Sequence, residues 1–173
     1  MNLREEIARE RSKAQAARLA GWVGRDAERF NKLMRLFLQE DDPLVQRAAW
    51  VINMLAEIYP ELITPHLEAL VRRMEDPGLP SAVKRHVMSS LQYVAIPESL
   101  HGPVMNAAFS LLEDPEEPIA VRVFSMSVLG ALACIYPDIK GELRLIIEEM
   151  LVQGASAGLR ARAKKVLRII GKG

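Results

Sequence analysis

The sequence predicts an all-α chain of about nine helices arranged as stacked pairs. Three observations carry this. Apolar residues recur three and four apart in segments of about 12 to 18 residues, the spacing of one helix face. Helix breakers fall between those segments, at Gly21 and Gly24, Pro43, Pro60, Pro77 and Pro80, Pro97, Pro115 and Pro118, Pro137 and Gly154. Alternating strand-like runs and Asn-Gly or Asp-Gly hairpin signals do not occur.

Taken in order, the first helix spans 2–22. Its polar residues (Arg4, Glu5, Arg9, Arg11, Lys13, Arg18) leave a thin apolar stripe through Leu3, Ile7 and Leu19, as expected of a terminal cap. Helices at 26–39 and 44–59 are separated by Pro43, and helices at 64–75 and 81–95 by Pro77 and Pro80. Helices at 102–113 and 119–135 flank Pro115 and Pro118, and helices at 139–152 and 157–170 flank Gly154. Proline cannot continue a helix interior and pushes the preceding residue out of helical geometry, so each Asp-Pro turn ends a first helix.

The pairs are copies of one unit. A shift of 38 residues brings Val45, Val83, Val121 and Leu159 into one column. It also aligns Leu33, Val71, Phe109 and Ile147, then Leu36, Met74, Leu112 and Met150. Two further columns carry one polar exception each: Ile52, Ser90, Val128 and Val166, then Asn53, Leu91, Leu129 and Leu167. EDPGLPSAVK at 75–84 returns as EDPEEPIAVR at 113–122, and IYPEL, IPESL and IYPDI mark successive ends. A single domain follows, with a cap at 1–24 and repeats at 25–62, 63–100, 101–139 and 140–173. Each second helix offers a wide apolar face, such as Val121, Phe124, Val128, Leu129, Leu132 and Ile135, which one pair cannot bury alone.

This unit, with Asp-Pro followed by an apolar-basic pair at the start of the second helix, resembles the HEAT repeat and, more loosely, armadillo-like repeats. The matching pairs are Val83-Lys84, Val121-Arg122 and Leu159-Arg160. The first unit departs, with Val45-Gln46 and Arg47 one place later. LEDPEEPIAVRVFSMSVL and ASAGLRARAKKVL also resemble a family of small bacterial HEAT-like proteins, which carries no activity over to this chain. The resemblance implies a short right-handed α-α superhelix with its concave face lined by the second helices. It also implies a structural ladder of Lys84, Arg122 and Arg160 facing Asp76, Glu113, Asp114 and Glu117.

Bulk properties exclude several classes. The 173 residues suit one core. Half are apolar and 26% are charged, ordinary for a folded protein, and a net charge of +1 gives no global field for nucleic acid or anionic membrane. The lone Cys134 allows no internal disulfide and, inside ALACIY, is expected in the core. The charged N-terminus lacks a signal peptide pattern, and the longest near-apolar run, VFSMSVLGALACIY, is too short for a bilayer. The expectation is a cytoplasmic protein with no membrane contact.

No catalytic, metal or cofactor site is expected. The adjacent carboxylates Glu5-Glu6, Asp41-Asp42, Glu116-Glu117 and Glu148-Glu149 point about 100° apart on a helix, so they suit solvated surface. Glu116 and Glu117 also suit a helix N-terminus. His66, His86 and His101 lack the spacing of a helical metal pair, and His86 reads as a packing residue. His66 and His101 would open the first helices of their units. There is no nucleophile elbow, and GKG at 171–173 is a chain end rather than a phosphate loop. Trp22 and Trp50 suit cap and core packing. The serine-rich signature loop of adenylosuccinate lyase, running into Met-Pro and Lys-Asn-Pro, is absent, and the chain is too short for that fold.

Charge is asymmetric. Residues 96–149 carry nine acidic and three basic residues, a net of −6, whereas 150–173 carry Arg160, Arg162, Lys164, Lys165, Arg168 and Lys172 and no acid. Arg160, Lys164 and Arg168 share a helix face. The expected function is a protein–protein interaction scaffold. The alternative is nucleic-acid binding, in an architecture resembling HEAT-like DNA-alkylation repair proteins, through Lys84, Arg85, Arg122, Arg160 and Arg162 and the last helix. The basic end is expected first as a cap that favours the helix dipole and solubilises the last repeat; otherwise it suits a nucleic-acid backbone or an acidic protein, including the acidic stretch of a second copy.

Overall fold

The computed structural model describes residues 1–171. Lys172, one of the six basic residues noted over 150–173, and Gly173 lie outside them, as does most of the Gly-Lys-Gly end. The helices are α1 (Leu3–Arg9), α2 (Lys13–Val23), α3 (Ala27–Gln39), α4 (Leu44–Ile58), α5 (Pro60–Ile63), α6 (Leu67–Arg73), α7 (Ser81–Ser90), α8 (Glu98–Glu113), α9 (Ile119–Ala133), α10 (Lys140–Val152) and α11 (Ala157–Ile170). No strand occurs among the described residues. The chain is all-α, and it divides into two compact units, Met1–Pro97 and Glu98–Gly173.

In the first unit α4 is the centre. It packs against α1, α2, α3 and α7, and buries Val45, Ala48, Ala49, Val51, Ile52, Leu55 and Ala56. Three of those seven are alanines, so neighbouring helices meet its backbone closely. The expected cap helix 2–22 is two helices. Ser12 breaks it: with an extended backbone it accepts the N–H of Gln15 at 3.0 Å and starts α2. Asn2 and Asp26 do the same for α1 and α3. The expected stripe of Leu3, Ile7 and Leu19 is buried.

In the second unit α9 takes the central place, against α8, α10 and α11. It buries Val121, Met126, Val128, Leu129 and Leu132. A Cβ added at Gly130 would lie 3.0 Å from Val166 Cγ1 of α11, so glycine permits this contact. Ser156 caps α11 by accepting the N–H of Leu159 at 3.2 Å.

The columns Val45, Val83, Val121, Leu159 and Ile52, Ser90, Val128, Val166 are buried in every copy. The two polar exceptions explain each other. The Ser90 hydroxyl lies 3.2 Å from Asn53 Oδ1 and 2.8 Å from the His86 carbonyl, so the odd residue of one column meets the odd residue of the next.

Several expectations are corrected. The helix expected at 81–95 ends at Ser90, where Gln92 and Tyr93 turn back with bonds to Ser89 and Ser90 carbonyls. The helix expected at 102–113 starts at Glu98, so Pro103 sits inside it and His101 is one turn in. Proline there forgoes the N–H bond to Ser99 and crowds that carbonyl with its ring, one turn from the helix start. Cys134 and Ile135 are exposed rather than core, because α9 ends at Ala133 and the chain turns there. Phe124 is only half-buried. Glu117 is buried rather than solvated, in the turn before α9, where its N–H bonds to the Asp114 carbonyl.

Candidate functional site

The last four carbonyls of a helix have no partner within it, and a cation placed there is favourable. In this chain arginines repeatedly fill that position. Arg47 Nη1 donates to the Ile7 and Ala8 carbonyls of α1 at 3.1 and 2.7 Å. Arg29 Nη1 donates to Trp22 of α2 at 2.6 Å, with its guanidinium 4.7 Å from that indole's centroid. Arg73 Nη2 donates to Glu40, just past α3, at 3.2 Å. Arg122 Nε donates to Leu112 in the last turn of α8 at 2.8 Å.

Of the acidic groups expected to face the basic positions, Asp76 pairs with Arg73 three residues earlier, and Asp114 Oδ1 accepts the Glu116 N–H at 2.9 Å. Lys84 and Arg85 are half-buried on α7 of the first unit, where Arg85 Nη2 lies 3.3 Å from His86 Nε2. In the second unit, Arg160, Lys164 and Arg168 are exposed on α11. Arg162 is half-buried and donates to Ser127 Oγ of α9 at 2.7 Å. The exposed basic row is thus Arg160, Lys164 and Arg168, and Arg162 belongs to the packing.

All three histidines sit against aromatic rings. His86 stacks on Trp50 at 5.9 Å and 14°. Arginine only donates, so Nε2 of His86 accepts and the ring is neutral with its proton on Nδ1. Burial, then the charges of Arg85 and Arg11, push its pKa down to about 4. His66 lies 5.2 Å from Phe30, and burial lowers its pKa too. His101 Nδ1 lies 2.9 Å from the Tyr136 hydroxyl, ring edge to ring face. No group of three or more potential metal ligands occurs among the described residues.

The second unit also contains an open groove between α8 and α10. The second helices of its two pairs, α9 and α11, close on one another, whereas α8 and α10 stand apart. Met105, Phe109, Ile139, Ile146 and Met150 form its apolar floor, and Glu113, Glu142 and Glu149 stand along it. Arg122 lies at one end.

A model of the HEAT repeat domain family matches residues 3–170. The chain belongs to the HEAT repeat domain family. Comparison with curated proteins and with solved structures gave no match. HEAT repeats generally mediate protein–protein interaction. No helix among the described residues is long and apolar enough to cross a membrane.

The apolar-basic pattern of the repeat points to Arg122 and, one place off, to Arg47, but not to Arg29 or Arg73, and not to the groove. Glu142, Ile146, Glu149 and Gln153 lie three and four apart on α10, the pattern of one face, and Met105, Phe109 and Glu113 do the same on α8. Periodicity alone does not show that these two faces remain uncovered.

Proposed function

We propose that this HEAT-repeat protein is a non-catalytic scaffold or adaptor that holds a partner protein on its surface. One observation carries the reading. The α8–α10 groove presents half-buried apolar side chains to solvent in a unit whose other helices are closely packed. Packing each histidine against an aromatic ring also fits binding better than acid–base chemistry.

The experiment is site-specific photo-crosslinking of the full chain in its native cells, with the reactive group at Ser110 in the groove or at Lys164 on α11. Discrete protein adducts that survive nuclease are expected. Loss of every adduct on nuclease treatment would refute the scaffold.

The exposed row Arg160, Lys164 and Arg168 favours a second reading, contact with a nucleic-acid backbone. It requires affinity for a fluorescent duplex to fall steeply with salt, because each phosphate contact releases counterions. Charge reversal at Lys164 and Arg168 would then abolish that binding.

A further inference from the structure

We infer that the α8–α10 groove receives an amphipathic helix of a partner protein, with apolar anchors on one face and Lys or Arg along its flanks. This rests on the scaffold reading and adds the partner's chemistry. The groove is long enough for such a segment. Its two stretches share Glu113 and so run into one another, and Met105 to Glu113 spans about 12 Å of helix, roughly two turns. Anchors at i, i+3 or i+4, and i+7 fill a groove of that length. Methionines in the lining adapt to anchors of different shape.

Charge selects the flanks. Glu113, Glu142 and Glu149 are exposed along the groove. At 100° per residue, Lys140 and Arg144, each two residues from Glu142, project from α10 about 160° away from it, on the opposite side of the helix. Among the described residues lining the groove, Arg122 is the one cation, and its Nε is committed to the Leu112 carbonyl. Leu145 and Val152, 68% and 88% exposed, extend apolar surface around α10 beyond the acidic row.

The charge would also suit α11 of a second copy. That helix, however, buries its apolar residues Leu159, Ala163, Val166 and Ile170 within its own unit. Leu167 and Ile169 are half-buried as well, so it offers cations with no fully exposed large anchor, and a separate partner helix fits better.

The test uses the full chain and a fluorescein-labelled peptide of Leu and Lys in amphipathic helical order, read by anisotropy at physiological salt. Saturable binding is expected, weakened about tenfold or more, over 1.4 kcal/mol, by Glu113→Lys with Glu149→Lys. Lys164→Glu with Arg168→Glu should leave it unchanged. Circular dichroism confirms that each variant is folded, and all these positions are exposed. Absence of binding, or binding indifferent to the groove variants, overturns the inference. So does a concentration-dependent oligomer of the chain that either pair of charge reversals dissolves, because the occupant is then a second copy. A protein crosslinked at Lys164 alongside a failed peptide test would retain the scaffold and discard this groove.

Discussion

Arg122 Nε donates to the carbonyl oxygen of Leu112 at 2.8 Å, tying the start of α9 to the end of α8. The bond satisfies an orphan carbonyl and places a cation at the negative end of the α8 dipole. Arg122→Ala is expected to cost about 1.5–3 kcal/mol, the range for a hydrogen bond to a charged donor. Arg122→Lys should recover part of that. Arg47→Ala should cost at least as much, since its guanidinium serves two carbonyls of α1. Urea unfolding with unchanged slope and a lower midpoint is the measurement. An unaltered midpoint for Arg122→Ala would remove the structural role.

Ser90 and Asn53 form a polar pair inserted into an apolar repeat. Ser90 also has the His86 carbonyl at 2.8 Å, so Asn53→Leu leaves its hydroxyl satisfied and should change stability by less than about 0.5 kcal/mol. Ser90→Ala removes a partner from Asn53 and should cost about 1 kcal/mol. In the Asn53→Leu background that cost should shrink, because no acceptor is left behind. Additive effects in this double-mutant cycle would show that the pair is not coupled.

The repeat was legible because buried positions repeat at fixed spacing, and burial admits a polar residue only where it finds a hydrogen bond, as Ser90 does with the His86 carbonyl and Asn53. Helix ends were less legible. Ser12-Lys13-Ala14-Gln15 follows the Ser-x-x-Gln order of a capping box, yet the helical periodicity runs through it, and only the Ser12 bond to the Gln15 N–H shows the break. Arg122 was legible as a special position but not in its partner, since a backbone carbonyl leaves no mark in a sequence. The α8–α10 groove was hidden for the same reason: Ile146 and Phe109 look like core residues until the neighbouring helix is seen to stand away.

Gly130 and Val166 mark the close approach of α9 and α11. Alanine at 130 gains about 1 kcal/mol of helix propensity but meets Val166 Cγ1 at 3.0 Å, where a β-branched side chain in a helix has little rotamer freedom. Overpacking of this kind costs about 1–3 kcal/mol, so Gly130→Ala should be destabilising by about 1 kcal/mol. With Val166→Ala the obstruction is gone, and the same change should stabilise. Thermal melts of the four proteins give the answer, and an unchanged sign would mean that the helices separate freely.

His86 makes stability depend on pH. Burial, aided by Arg85 and Arg11, holds its folded pKa at about 4, against about 6.5 in an unfolded chain. Between those values the unfolded state binds the additional proton, so stability is at its full value above about pH 6.5 and falls as pH drops toward 4. The loss amounts to about 3 kcal/mol at pH 4. Glu6, Asp26 and Glu40 act in the same direction at lower pH, their carboxyls held below the usual range by hydrogen bonds from Arg18, the Arg29 backbone and Arg4. His86→Phe separates the contributions, since it keeps a ring against Trp50 but has no proton to bind. Urea midpoints for both proteins should converge or cross as pH falls from 7 to 4.5, the wild type losing more. Parallel curves across that window would show that His86 is protonated in the folded protein as readily as in the unfolded chain.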